Sequence, residues 1–326
     1  MIILYFFGLL IGFVILFKCA GWFVEGAVGF ARILSIPKLI VGIVFVGLAT
    51  TAPEFGVSVQ AAYMGHPEIA LGNAIGSVIC DDGIAIALAA ILAPTAILIN
   101  CRLLKIAAVF LLSIDILAYL LARNGTIGRL EGMLFIFLLV VYYFFLIRKK
   151  DTAKDIIPVE PIDNGEYKEV SLSRKKQLKK SILLFAGGIV GVFLISRIVI
   201  LTSIKIALYF SISETIIGLT VIAMGTSLPE ISTCITAARK GEGEIAVGNI
   251  IGADILNVLW IIGASALVNP ITVDKEVINF TFPFMIFIVA VMLISMRIGC
   301  RIGKPKGIIL FSLYLIYLYL TLRFHF

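Results

Sequence analysis

Residues 47–54 read Gly47-Leu48-Ala49-Thr50-Thr51-Ala52-Pro53-Glu54, and residues 223–230, 176 positions later, read Ala223-Met224-Gly225-Thr226-Ser227-Leu228-Pro229-Glu230. The likeness runs without a gap over residues 42–94 and 218–270. Of these 53 pairs 18 are identical, among them Thr50/Thr226, Pro53/Pro229, Glu54/Glu230, Asn73/Asn249, Gly76/Gly252 and Pro94/Pro270. Unrelated apolar helices would share leucine and valine. Shared Pro, Glu, Asn and Gly are residues that lipid-facing packing does not ask for, so the chain carries an internal duplication.

The surroundings of the two stretches set the class. Hydrophobic residues are 61% and charged residues 14% of the 326, against about 45–50% and about 25% in soluble domains. The mean hydropathy is +1.12. A bilayer-spanning helix needs about 20 apolar residues. The apolar runs predict an all-α membrane protein with ten spans, near 2–24, 38–62, 70–93, 104–122, 128–147, 180–204, 215–238, 245–268, 277–297 and 306–322. The polar stretch 148–180 is expected to be a linker between halves 1–147 and 181–326, each with five spans and one duplicated motif, 42–94 or 218–270. An odd number of crossings reverses each equivalent helix, which predicts two inverted five-helix repeats with discontinuous helices at the breaks.

The net charge of +7 does not point to nucleic acid, because 20 of the 27 Lys and Arg fall in or at the edges of loops one, three, five, seven and nine. Positive charge is retained in the cytoplasm. The 148–180 loop is therefore expected inside a cell membrane and both termini outside. The first span has no basic n-region or cleavage site and is expected to be retained. Cys19, Cys80, Cys101, Cys234 and Cys300 form no CxxC pair and no disulfide framework; they read as small packing residues.

The repeated segments carry the chemistry. A proline inside a span lacks its N–H and clashes with the carbonyl four residues back, so carbonyls around residues 47–50 and 223–226 lose helical partners. Such a break is tolerated only where it faces protein or a polar cavity, and here hydroxyls and a glutamate sit at the same place. In the following segment each residue turns about 100°. Asn73, Ser77 and Asp81 then share one stripe, as do Asn249, Ala253 and Asn257. Gly72/Gly76 and Gly248/Gly252 are small-xxx-small pairs that allow close helix approach.

A carboxylate near mid-membrane costs several kcal/mol. Glu54 and Glu230, brought together at a pseudo-twofold axis, would need a proton or a cation between them. Two carboxylates with carbonyls and hydroxyls suit Ca²⁺, which takes six to eight oxygens at about 2.3–2.6 Å. Zn²⁺ or copper would want His or Cys, and only His66, Cys80 and Cys234 lie near.

These segments resemble the α-repeats of the sodium/calcium exchanger family within the cation/calcium antiporter superfamily. Its patterns, approximately G-T-S-x-P-E and G-N-x-x-G-S-N-x-x-N/D, fall on Ala49–Glu54, Gly225–Glu230, Gly72–Asp81 and Gly248–Asn257. The resemblance extends more weakly to Gly21-Trp22-Phe23-Val24-Glu25-Gly26-Ala27. It implies a secondary antiporter of ten helices, exporting Ca²⁺ in exchange for Na⁺ by alternating access, with a Ca²⁺ site and Na⁺ sites near mid-membrane. Glu54 and Glu230 would be shared ligands. Thr50 and Thr226 would add carbonyls and hydroxyls. Thr51, Ser227 and Ser77, with the Gly47 and Ala223 carbonyls, would serve Na⁺, while Asp81 and Asn257 would line the centre. Asn73 and Asn249 complete the candidate set. The ions are substrates; no cofactor, enzymatic activity or obligate protein partner is implied. The linker is far shorter than the regulatory insertions of animal exchangers, so a prokaryotic-type transporter is expected.

Three departures from the pattern bear on coupling. The first repeat has Ala49-Thr50-Thr51 for Gly-Thr-Ser, Asp81 and Asn257 exchange the usual Asn and Asp, and Ala253 replaces a serine. The lost hydroxyl weakens one Na⁺ site, which keeps a Ca²⁺/H⁺ exchanger as the alternative. A cation channel would lack saturable counterflow, and the absence of a nucleophile–base pair or HExxH motif argues against a metalloenzyme. Asp254 is read as bonding backbone, Asp115 has no mate in the other half, and Asp82 is unassigned. Glu25 is expected to pair within its span or face a loop, and Trp22 to anchor at the interface.

Overall fold

The computed structural model describes residues 2–33, 47–99, 101–148, 170–239, 241 and 243–325. Helix α1 (Ile2–Ile33) opens the chain. The first duplicated stretch follows as α2 (Gly47–Thr50), α3 (Ala52–Tyr63), α4 (Pro67–Cys80), a π-helical turn over Asp81–Ala85 and α5 (Ile86–Leu92). Strand β1 (Ile97–Leu98), α6 (Cys101–Ala122), β2 (Thr126–Ile127) and α7 (Arg129–Arg148) complete this half.

The second half begins with α8 (Val170–Phe210). Its duplicated stretch is α9 (Glu214–Ile217), a π turn at Gly218–Ile222, α10 (Ala223–Thr226), α11 (Leu228–Arg239), α12 (Gly243–Leu256), a π turn at Asn257–Ile262 and α13 (Gly263–Val268). Strand β3 (Ile271–Thr272), α14 (Phe282–Arg297), β4 (Arg301–Ile302) and α15 (Lys304–His325) end it. The duplication is preserved in three dimensions. Helices α3 and α11, and α4 and α12, begin and end 176 residues apart (52 to 228, 63 to 239; 67 to 243, 80 to 256).

Among the described residues six helices are long and apolar enough to cross a bilayer: 67–92, 104–122, 177–210, 246–268, 277–300 and 304–323. A seventh forms if Glu214–Thr226 and Leu228–Arg239, bent by 42°, act as one. Helix α1 contributes a shorter apolar stretch, Ile2–Leu16. Part of the expected span 38–62 lies outside the described residues, as does most of the 148–180 linker. The end of that linker is helical, since α8 already runs from Val170.

Helices α1 and α8 lie antiparallel, with Gly8 against Thr202, Gly12 against Val199 and Gly191 against Cys19. A Cβ on Gly26 would meet the Phe185 backbone nitrogen at 2.4 Å, so only glycine allows this crossing. Leu9, Phe13, Leu16, Val192 and Val199 form a small core there, separate from the large one spanning α4–α7 and α12–α15. Glu25 pairs across this seam with Lys180 at 2.7 Å rather than within its own span. Outward-facing Leu4, Phe7, Val14, Leu183 and Leu194 are exposed, the expected state of a lipid-facing surface.

Two short antiparallel ladders tie the halves together. Ile97 pairs with Ile302 and Leu98 with Arg301; Thr126 pairs with Thr272 and Ile127 with Ile271. They sit at opposite ends of α6, whose 22 residues span about 33 Å at about 1.5 Å each. Beside the first ladder Cys101 and Cys300 form a disulfide, Cα atoms 5.5 Å apart and 199 residues apart in sequence. The reading of all five cysteines as packing residues is corrected for this pair, which strand pairing unites and spacing could not reveal. Cys19, Cys80 and Cys234 are free and buried.

Candidate functional site

Both proline-containing segments break at the hydroxyl residue before the motif's third helix position. Thr51 (φ −82°, ψ 0°) separates α2 from α3, and Ser227 (φ −76°, ψ 1°) separates α10 from α11. Each restarts its helix by the same bond, Phe55 N–H to the Thr51 carbonyl and Ile231 N–H to the Ser227 carbonyl, both 3.0 Å. The Ala223 carbonyl is not free. It accepts from Ser227 N–H at 3.0 Å and from Thr226 Oγ1 at 3.3 Å.

The two halves meet through exchanged bonds. Thr226 Oγ1 donates to Asn73 Oδ1 at 3.1 Å, and Thr50 Oγ1 donates to Asn249 Oδ1 at 3.4 Å. Subtracting 176 from Thr226 and adding it to Asn73 gives Thr50 and Asn249, so the two bonds are copies of one contact. The asparagines are held in equivalent ways. Asn73 Nδ2 donates to Ser58 Oγ at 2.9 Å and the Glu54 carbonyl at 3.3 Å, while Asn249 Nδ2 donates to Cys234 Sγ at 3.8 Å. Asn73 and Asn249 thus accept from the threonines with the oxygen of the amide while its nitrogen donates to other neighbours.

Close helix contact makes these bonds reachable. A Cβ on Gly72 would lie 2.5 Å from the Thr215 carbonyl, and one on Gly76 would lie 2.5 Å from that of Leu219. The expectation of equal closeness at Gly248 and Gly252 is not met among the described residues, since nothing lies within 4 Å of either. Their counterparts of Thr215 and Leu219, by the same offset, are residues 39 and 43, outside the described residues.

Around the breaks the buried oxygens converge. Thr226 and Ser227 stand beside the Glu54 carboxyl, Thr50 beside that of Glu230, and Ser227 also beside Asp81. Glu54 feels the charge of Asp81, and Glu230 that of both. Glu54, Glu230, Asp81, Thr51, Ser77, Ser227 and Asn257 are all at most 1% exposed. By strict geometry none of their carboxyl, hydroxyl or amide oxygens has a hydrogen-bond partner. Unpaired buried oxygens of this kind are costly, and among the described residues no Lys, Arg or His is buried to compensate them. Arg197, a cation within a span, is exposed, and Lys18 lies over the Trp22 ring at 5.9 Å.

Among the described residues no three His, Cys, Asp or Glu side chains stand at metal-ligand spacing. A cation at the break must therefore complete its shell with hydroxyl, amide and carbonyl oxygens, which suits a hard ion and not a soft one. Gly47 lies on α2 at the first break. Asp254 does not bond backbone as expected. Asp82, Asp115 and Asp254 are fully buried with no hydrogen-bond partner, and sequence reasoning left their meeting unseen.

The chain is similar to known proteins over nearly its whole length. It is 32% identical to the putative antiporter CaxA of Alkalimonas amylolytica, over 95% of this chain and 96% of that one. It is 29% identical to the sodium/calcium exchanger MaX1 of Methanosarcina acetivorans, covering 98% of each. The sodium-calcium exchanger NCX_Mj, solved after soaking in Na⁺ and Sr²⁺, superposes with a TM-score of 0.65 at 26% identity, covering 97% of this chain and 98% of that one. The model of the sodium/calcium exchanger protein family matches residues 4–148 and 180–323. With the mirrored breaks, the exchanged Thr–Asn bonds and this match in agreement, the chain belongs to the sodium/calcium exchanger protein family.

Proposed function

We propose that the protein exports Ca²⁺ in exchange for Na⁺ by alternating access, the two ions competing for Glu54 and Glu230. The observation that carries this reading is the set of unpaired buried oxygens on Glu54, Glu230, Asp81, Thr51, Ser77, Ser227 and Asn257, framed by exchanged threonine–asparagine bonds. Such a set is tolerable when a cation neutralises it. Glu54, Glu230, Thr50, Thr226 and Asp81 hold Ca²⁺; Ser77, Thr51, Ser227, Asn257 and the Gly47 and Ala223 carbonyls add oxygens when Na⁺ replaces it. Asn73 and Asn249 position the threonines. The architecture is ten spans in two inverted halves, 1–147 and 181–326, joined by a cytoplasmic 148–180 loop with both termini outside. Helices α1 and α8, which share a core of their own, slide against the rest to switch access. A charge crossing with the potential gains about 2.3 kcal/mol per 100 mV.

One observation favours a second reading, Ca²⁺/H⁺ exchange. Ala253 is fully buried where its mate Ser77 offers an unpaired hydroxyl, so one Na⁺ position is short of an oxygen. Proteoliposomes loaded with ⁴⁵Ca²⁺ separate the two. External Na⁺ is expected to drive efflux at constant pH; efflux that ignores Na⁺ and follows a pH step overturns Na⁺ coupling.

A further inference from the structure

Cys101 and Cys300 differ from the other cysteines in place and in state. Cys19, Cys80 and Cys234 are free and buried, whereas the bonded pair is half-buried and stands in two connections between helices. Cys101 opens α6, and Cys300 lies in the turn after α14, next to the β1–β4 ladder. Their bond closes a loop over 199 residues and joins the two halves.

The two connections are alike in charge. Residues 95–105 carry Arg102 and Lys105, residues 295–306 carry Arg297, Arg301, Lys304 and Lys306, and neither stretch contains an Asp or Glu. Connections of this kind are retained in the cytoplasm, which in the ten-span arrangement is the face of the 148–180 loop. Disulfides are rare on that face because cytosolic thiols reduce them, and those that form are usually redox-sensing or catalytic. The surroundings also favour exchange. Cys101 is the first residue of a 22-residue helix, whose N-terminal N–H groups stabilise a leaving thiolate. Arg301 directly follows Cys300, and the Lys306 ammonium is held by the carbonyls of Ser295, Ile298 and Arg301. Fixed positive charge therefore lies around the turn that holds the second sulfur.

We propose that Cys101 and Cys300 form a reversible redox site open to the cytoplasmic thiol pool. A thiolate of a low-molecular-weight thiol or a dithiol protein attacks Cys300 Sγ. The S–S bond breaks, and its electron pair leaves on Cys101 Sγ, which takes up a proton. A second reductant thiol attacks the mixed disulfide, releasing Cys300 as a thiol and the reductant as its own disulfide. The chain gains two electrons and two protons, and a low-molecular-weight disulfide reverses the sequence. Opening removes the staple from the β1–β4 ladder and alters no candidate ion ligand. The inference rests on the orientation given to the proposed exchanger and not on its ions.

Thiol counting on the full chain tests it. After acid quenching and denaturation, a mass-tagged maleimide adds three tags with the bond closed and five with it open. The membrane-impermeant reductant tris(2-carboxyethyl)phosphine is expected to move the count from three to five in inside-out vesicles and not in right-side-out ones. In intact cells, dithiothreitol and the thiol oxidant diamide are expected to move it in opposite directions. The Cys101→Ser/Cys300→Ser variant is expected to keep three tags throughout, which assigns the shift to this pair. Three tags that no reductant changes on either face make the bond a permanent staple and overturn the proposal, as do five tags in diamide-treated cells. Reduction confined to right-side-out vesicles overturns it through the orientation, and ⁴⁵Ca²⁺ exchange in the same vesicles keeps that failure apart from a failure of the exchange reading.

Discussion

Glu54, Glu230 and Asp81 sit among hydroxyls supplied by both halves, whereas Asp82, Asp115 and Asp254 sit chiefly among one another. The first group is a product of duplication: each glutamate follows a proline break, and the exchanged bonds Thr226–Asn73 and Thr50–Asn249 are copies of one contact. The second group departs from the duplication: the mates of Asp82 and Asp254 are Val258 and Val78, and Asp115 lies outside the duplicated stretch. Among the described residues both groups are buried without buried basic partners. The contrast teaches that symmetry explains where a mixed-oxygen site lies, and that a buried acid outside the symmetry has no counterpart from which its surroundings could be foreseen.

The sharpest way to break this contrast is Glu54→Gln or Glu230→Gln. Removing one partner from a buried, charge-balanced site costs roughly 3–5 kcal/mol, so Ca²⁺ flux in proteoliposomes is expected to fall by about two to four orders of magnitude. Near-normal flux in either variant would remove the central group from the transport cycle.

Next in size are the braces. Asn73→Ala strips Thr226, Ser58 and the Glu54 carbonyl of a partner and is expected to cost about 1–3 kcal/mol. Asn249→Ala loses longer bonds, 3.4 Å to Thr50 and 3.8 Å to a thiol, and should cost less. Thermal unfolding in detergent compares them, and a larger loss at Asn249 would contradict the bond lengths.

A smaller effect is expected from Ala253→Ser, which supplies the hydroxyl that Ser77 has. If Na⁺ drives exchange, the Na⁺ concentration for half-maximal Ca²⁺ efflux should drop a few-fold, as one added hydrogen-bonding oxygen of about 0.5–1.5 kcal/mol allows. An unchanged Na⁺ dependence would mean that this position does not face the ion.

The least effect on flux is expected from Cys101→Ser with Cys300→Ser, because the disulfide lies beside the β1–β4 ladder and supplies none of the candidate ligands. Its loss should lower stability by about 2–4 kcal/mol, read as an earlier unfolding transition that reductant no longer shifts. Flux that collapses with the fold intact would tie the ladder to the transport cycle.

Much of the central group was legible in the residues. Proline before glutamate inside an apolar run marks a break, and its recurrence at a fixed offset marks the partner. The breaks at Thr51 and Ser227 fall where that pattern places them. The asparagines were less legible: a polar stripe shows that Asn73 and Asn249 face inward, but not that both amide ends are taken by neighbours. The Gly72/Gly76 approach was visible as spacing, since only small residues let a carbonyl come within 2.5 Å of a built Cβ.

Hydropathy, the offset of 176 and the chemistry of Pro, Glu, Thr and Asn are properties of the chain read along its length, so they alone determined the membrane class, the duplication and the identity of the mirrored carboxyls. Only tertiary structure decided which atoms meet: Thr226 with Asn73 at 153 residues' separation, Thr50 with Asn249 and Cys101 with Cys300 at 199, and Asp82 with Asp254. Those contacts depend on how separate helices are turned and packed, and no spacing within one helix specifies the face that a distant helix presents to it.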